Sequence, residues 1–219
     1  MTNKKRKTYL GGNMTNVGAK LLRQMEREKL EELPNIDLYN PVDNEEINDK
    51  SRAPQAEDIF KQDTKALLEA DTTIFDATGS PGTTTEIGQV WGINYVLREL
   101  RKSYSEALEK QDRVLNSSEG KIYQEVREEA SKAFYTTFTS KVINDIMLKI
   151  PYKDVYWHNS DIRNVKGITE TGLRRSYGFN QYLHGCLLDM AGEENTFDEI
   201  VRELREKEED EDSRGIGDN

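Results

Sequence analysis

Three short runs able to form strands, Lys7 to Leu10, Ile36 to Tyr39 and Thr72 to Ala77, alternate with segments of helical periodicity. This alternation leaves the chain few folds to choose from. Between the first two runs, Val17 to Leu33 sets Val17, Leu21 and Met25, and again Leu22, Leu30 and Leu33, at helical spacings. The first strand stops at Gly11-Gly12 and the second at Asn40-Pro41, followed by a polar loop through Ser51 to Pro54 and a helix from Gln55 to Ala70. Strands and helices alternating in units of roughly 30 residues imply a parallel sheet covered on both faces, an α/β fold of the flavodoxin-like or Rossmann-like doubly wound type. Ligands in such open sheets bind beyond the carboxyl ends of the strands, so the informative positions follow Tyr9, follow Tyr39 and fall at Asp76.

Farther along, a helix after Gly88 carries Val90, Trp91, Leu97 and Leu100, and a strongly charged helical region extends to about Lys149 with a break near Asn116 to Gly120. A helical insertion at about 95–149 is expected, as a projecting hairpin or a surface for another subunit. Asp154 to His158 reads as a fourth strand, and Phe179 to Met190 opens a final helical region. Residues 203–212 hold seven acidic and two basic side chains, which predicts a fraying helix end and a disordered acidic tail over 203–219. With 219 residues, a single α/β domain over 1–202 accounts for the rest.

The formal charge of −10 argues against a nucleic acid polymer as partner, because such binding needs clustered Lys and Arg to neutralise phosphates. A small ligand in a cleft stays open. Lys4 to Lys7 reads as a solvated flank. The single cysteine, Cys186, cannot form an internal disulfide and lies in an apolar stretch as a packing thiol; no run approaches the ~18 apolar residues of a membrane span. A cytoplasmic location without membrane association is expected. Gly11-Gly12 lacks the further glycine and acid of a dinucleotide fingerprint, and no Gly-Lys-Ser/Thr phosphate loop occurs. His158 and His184 read as hydrogen-bonded structural residues.

Three carboxylates stand in places where a carboxylate needs a reason. Asp63 falls inside the apolar stripe Ala56, Ile59, Phe60, Ala66, Leu67, Ala70, where an unpaired charge is costly. A structural hydrogen bond is the plain alternative to a functional role. Asp76 ends the third strand, a position that also suits a loop cap. Glu86 follows in GSPGTTTEIG, where Thr83 and Glu86 have capping-box spacing; a helix N-terminus in that turn would also favour an ionised carboxylate. An ionised carboxylate beside a second carboxyl group that can donate a proton is the machinery for breaking a glycosidic bond through a covalent intermediate. Glu86 would be the nucleophile and Asp76 or Asp63 the proton source.

At this point the chain resembles the nucleoside 2-deoxyribosyltransferases. Tyr9-Leu10-Gly11-Gly12 is similar to that family's opening tyrosine and glycine turn, and IFKQDTKALLEAD, with Asp63 and Asp71, to its substrate-contacting helix. TIFDATGSPGTTTEIG resembles the segment that carries its catalytic acid and nucleophilic glutamate, Asp161-Ile162-Arg163 an Asp-x-Arg element after the fourth strand, and FNQYLHG a C-terminal helix start. The resemblance implies that Glu86 is the nucleophile, that Tyr9 orients it, and that Asp63 and Asp76 hold and protonate the departing base. It places Gly11 among the substrate-binding residues, and implies that Asn180 binds the sugar's 5′-hydroxyl across a subunit interface. A nucleoside and a nucleobase would be the small-molecule partners, in a homo-oligomer with shared sites and with no metal or organic cofactor.

Two other functions fit the same residues. One is a nucleoside or nucleoside 5′-monophosphate hydrolase that passes the sugar to water; the other is a non-catalytic nucleotide-binding or scaffold protein that keeps the fold.

Overall fold

A computed structural model of the chain describes residues 5–49, 51, 55–115, 149–161 and 180–215. The element order is β1 (Arg6–Gly11), α1 (Val17–Glu31), β2 (Ile36–Tyr39), a 3-10 turn (Pro41–Asp43), α2 (Glu45–Asn48), α3 (Ala56–Glu69), β3 (Thr72–Asp76), α4 (Pro81–Leu115), β4 (Asp154–His158), α5 (Gln181–Ala191) and α6 (Phe197–Gly215). The four strands form one parallel sheet in the order β2-β1-β3-β4. The chain direction across the sheet reverses at β1, so the crevice beyond the carboxyl ends of β1 and β3 is the topological switch point of a doubly wound fold.

Strand side chains alternate between the faces, and the register fixes which go where. Leu10 lies beside Ile74, Gly11 beside Phe75 and Asp76 beside His158. Tyr9, Phe75, Val155 and Trp157 therefore share one face, where they pack with Leu67 of α3, Ile87 and Val90 of α4, and Leu183 and Leu187 of α5. Leu10, Ile74 and Tyr156 share the other, packed with Leu30 of α1 and Ile200, Val201 and Leu204 of α6. Each large apolar side chain buried in these layers contributes about 1.5–3 kcal/mol.

The chain divides into two compact units, Met1–Trp91 with Lys153–Asn219, and Gly92–Tyr152. The first holds the whole sheet. In the second, Arg98 lies over the ring of Tyr95 at 5.5 Å and Arg101 over that of Tyr152 at 5.3 Å. The break expected at 116–120 and most of the expected insertion lie outside the described residues. Among the described residues, no helix is long and apolar enough to cross a membrane.

Two readings of helices differ from the sequence expectation. In α1 the apolar positions Val17, Leu21 and Met25 are exposed, whereas Arg23 and Glu26 are buried with Leu30. Burial of these charged groups is tolerable because they bond to each other and to partners across the sheet. The acidic run from Glu203 continues α6 to Gly215, with Leu204 and Glu208 buried and Glu208 accepting the Asn35 N–H at 3.1 Å.

Candidate functional site

The turn from β3 into α4 is built by Gly79, whose φ of +83° suits a residue without Cβ, and by Ser80. Ser80 caps the helix: its carbonyl accepts the Thr84 N–H at 2.9 Å and its Oγ the Thr83 N–H at 3.3 Å. Thr83 is thus already inside the helix, hydroxyl to hydroxyl with Ser80 at 2.8 Å, and the capping-box spacing of Thr83 and Glu86 has no capping role. Glu86 falls in the second turn, and its side chain lies over the sheet face that carries Tyr9 and Phe75.

Its position is set by the absence of a side chain on β1. A Cβ on Gly11 would stand 2.9 Å from Glu86 Oε2 and 2.7 Å from the Phe75 ring, so only glycine lets the carboxylate rest there. Burial pushes the Glu86 carboxyl up to about 7; the Tyr9 hydroxyl pulls it down and the charge of Asp63 pushes it up. Tyr9 is fully buried, and its hydroxyl meets no hydrogen-bond partner of good geometry among the described residues. It still stands close enough to feel both carboxylates: burial, then the Glu86 charge, then that of Asp63 raise its pKa far above the ordinary tyrosine range.

Asp63, from α3, comes to the same place half-buried. Burial raises its pKa, and a 2.7 Å hydrogen bond donated by the Tyr39 hydroxyl to Oδ1 opposes that rise. The Tyr39 ring stacks on Tyr9 at 5.6 Å with 17° between planes, and Phe75 tilts against Tyr9 from the other side at 6.3 Å. The result is a patch with two interacting carboxyl groups, a buried phenol beside them and aromatic walls at the carboxyl ends of β1, β2 and β3. Carboxyls whose environments push them toward neutrality are suited to acid–base and nucleophilic work.

Asp76 is not brought to this cluster. One residue after Phe75 in the strand, it points to the opposite face, where Arg23 Nη2 donates to Oδ2 at 2.9 Å, the Ser160 hydroxyl to Oδ2 at 2.7 Å and the Ser160 N–H to Oδ1 at 3.1 Å. Asp76 is 3% exposed and acts as an acceptor throughout. The same guanidinium bonds Glu26 at 2.7 Å and the Gly11 carbonyl at 3.1 Å, and His158 Nε2 stands 3.1 Å from Glu26. A Cβ on Gly12 would fall 2.0 Å from Arg23 Nη1, so the second glycine of the turn makes room for this cation.

The other expected residues divide. Asn180 is the N-cap of α5, its Oδ1 accepting from Tyr182 N at 2.9 Å and Leu183 N at 3.1 Å. Asp71 sits at the amino end of β3 and accepts from Lys7 N at 3.1 Å, away from the carboxyl ends where the cluster lies. Asp161 N–H bonds Asn159, and Ile162 and Arg163 lie outside the described residues. His184 meets the Trp157 ring edge-on at 5.8 Å, and Cys186 packs against the α3–α4–α5 core.

Arg23, Glu26 and Tyr39 carry no motif in the sequence, nor do Asn44 and Gln62, the first of which donates to the Tyr39 hydroxyl at 3.1 Å and to Gln62 Oε1 at 2.7 Å. Arg23 and Glu26 carried a usable signal, since they precede Leu30 by seven and four residues and so share its buried helix face. Tyr39 ends a strand at the ligand-binding edge, and that position was the signal for it.

A family model described as "Nucleoside 2-deoxyribosyltransferase" matches residues 8–118, half of the chain, and this span contains Tyr9, Gly11, Arg23, Tyr39, Asp63, Asp76 and Glu86. Among solved structures, the chain is similar to the crystal structure of a conserved protein from Enterococcus faecalis V583, with 17% identity and a TM-score of 0.55 over 93% of this chain and 99% of that one. That likeness speaks for the fold. No curated protein matches the chain.

Proposed function

This chain belongs to the nucleoside 2-deoxyribosyltransferase family, and from that premise we propose that it cleaves the N-glycosidic bond of a 2′-deoxyribonucleoside and passes the sugar to another nucleobase through a covalent deoxyribosyl-Glu86 intermediate. The observation that carries this reading is the seating of the Glu86 carboxylate over Gly11, with Tyr9 and Asp63 as its electrostatic neighbours.

In this reaction an oxygen of ionised Glu86 bonds to the anomeric carbon as the carbon–nitrogen bond breaks, and the leaving base takes that electron pair and a proton from Asp63. One negative charge passes from Glu86 to Asp63. The acceptor base then attacks the anomeric carbon, returns a proton to Asp63 and frees Glu86. The Tyr9 hydroxyl, desolvated beside Glu86, is a donor to the Glu86 carboxylate, and it fixes which oxygen attacks.

Of the two proton sources left open by the sequence, the geometry favours Asp63. Asp76 serves as a positioning residue: it holds Arg23, and Arg23 holds the Gly11 carbonyl in the turn beneath Glu86. Asn180, a homo-oligomer and a 5′-hydroxyl contact across its interface belong to the same proposal through the family resemblance.

Incubating the protein with a deoxynucleoside and a second free base tests the activity. Exchanged nucleoside is the expected product; free sugar alone assigns hydrolysis instead, and no turnover of any deoxynucleoside refutes both.

A further inference from the structure

One backbone donor sets the direction of every hydrogen bond in a small network behind Asp63. The Glu46 N–H can only donate, and it meets Asn44 Oδ1 at 3.1 Å. This identifies the oxygen of the Asn44 amide, so the other terminus is the nitrogen. Nδ2 donates to the Gln62 Oε1 at 2.7 Å and to the Tyr39 hydroxyl oxygen at 3.1 Å. Gln62, with its oxygen so engaged, turns Nε2 to Glu46 Oε2 at 3.1 Å and closes the loop. The Tyr39 oxygen already accepts from Asn44, so its own hydrogen goes to the remaining neighbour, Asp63 Oδ1 at 2.7 Å.

We propose that Tyr39, aligned by Asn44, is the positioning residue that reserves Asp63 Oδ1 as an acceptor and so makes Oδ2 the oxygen that hands the proton to the departing base. The inference rests on the deoxyribosyl transfer proposed above and names a residue that controls its proton step. An unpositioned carboxyl group can carry its proton on either oxygen and in two orientations about each. One held by a phenol on one side presents a single donor to the substrate. Two features keep the phenol in this role. Burial pushes the Tyr39 hydroxyl up to about 12, which keeps its proton in place at neutral pH, and the stack on Tyr9 fixes the ring plane. In the first half-reaction Oδ2 loses its proton to the base as the base takes the carbon–nitrogen electron pair; in the second the incoming base returns it to Oδ2.

The test compares two donors on the full chain and on Tyr39→Phe, which keeps the ring and its stack. One donor is a natural deoxynucleoside, with thymidine and deoxyadenosine run in parallel; the other is 4-nitrophenyl 2-deoxyriboside, whose phenolate leaves without needing a proton. Loading of the protein with a deoxyribosyl group is followed by intact mass. Tyr39→Phe should slow loading from the nucleoside by about tenfold or more, a part of the usual effect of a general acid, and leave loading from the nitrophenyl donor within about twofold. Asp63→Asn should show the same split, more strongly. The limb of the nucleoside pH profile that reports Asp63 should also move to higher pH in Tyr39→Phe, because the lost hydrogen bond had been lowering the Asp63 pKa. Equal slowing with both donors, or slowing with neither, overturns the role of Tyr39. An unaltered chain that loads from neither donor overturns the transfer reading beneath it, and this inference with it.

Discussion

Arg23 Nη2 stands 2.9 Å from Asp76 Oδ2 in the core, and the pair lies on the sheet face opposite the one that carries Glu86. Two carboxylates ten residues apart in one short segment are thereby separated by the pleat of β3. Phe75 turns toward the glutamate and Asp76 turns away. A segment that reads as one catalytic unit is split between the two faces, with Glu86 above the sheet and Asp76 anchored to Arg23 below it.

This separation predicts different losses for two similar substitutions. Asp76→Asn removes one partner of a buried ion pair and should cost roughly 3 kcal/mol of stability, with turnover per folded molecule reduced far less than by loss of Asp63. Asp63→Asn, half-exposed at the site, should keep stability within about 1 kcal/mol and lower turnover by roughly a hundredfold or more. Urea denaturation paired with base-exchange rates checks both. A larger rate loss for Asp76→Asn than for Asp63→Asn in folded protein contradicts the assignment.

Gly11→Ala is expected to remove activity while leaving the fold in place. The added methyl falls 2.7 Å from the Phe75 ring and 2.9 Å from Glu86 Oε2, and the glutamate side chain is the more mobile of the two. Displacing the proposed nucleophile by about an ångström costs on the order of a hundredfold. The check is the rate of exchange beside an unchanged far-ultraviolet circular dichroism spectrum; exchange at the wild-type rate counts against the seating of Glu86 over Gly11.

Ionised Glu86 should weaken the folded protein. Its carboxyl titrates at about 7 in the folded chain against 4.5 unperturbed, with burial as the first cause, so between those values the folded state binds the extra proton. Stability attributable to this group is therefore present at low pH and lost as pH rises through about 7. Glu86→Gln, which cannot ionise, should be more stable than the parent by roughly 1–3 kcal/mol at pH 8, with the advantage shrinking as pH falls to 4.5. Denaturant midpoints at several pH values measure it, and a variant less stable at pH 8 than at pH 5 relative to the parent runs against it.

Much of this was legible in the amino-acid order. The β1, β2 and β3 strands and the helices between them follow from local periodicity, and the ligand-binding edge follows from the parallel order they impose. Asp63 stood out because a carboxylate interrupts an apolar stripe, a signal contained within one helix. What depended on distant partners was not legible. Arg23 and Glu26 could be buried only because Asp76 and His158 await them on other elements, and their burial left Val17, Leu21 and Met25 on the outside of α1. The orientation of Asp76 depends on the strand register, and the start of α4 depends on which of two good caps, Ser80 or Thr83, has the N–H groups in front of it.

The most direct measurement is the mass of the intact protein after brief mixing with a deoxynucleoside. A gain equal to one deoxyribosyl group is expected, located on the peptide containing Glu86 and absent from Glu86→Ala. Base exchange that proceeds in Glu86→Ala, or an adduct carried by another residue, would contradict it.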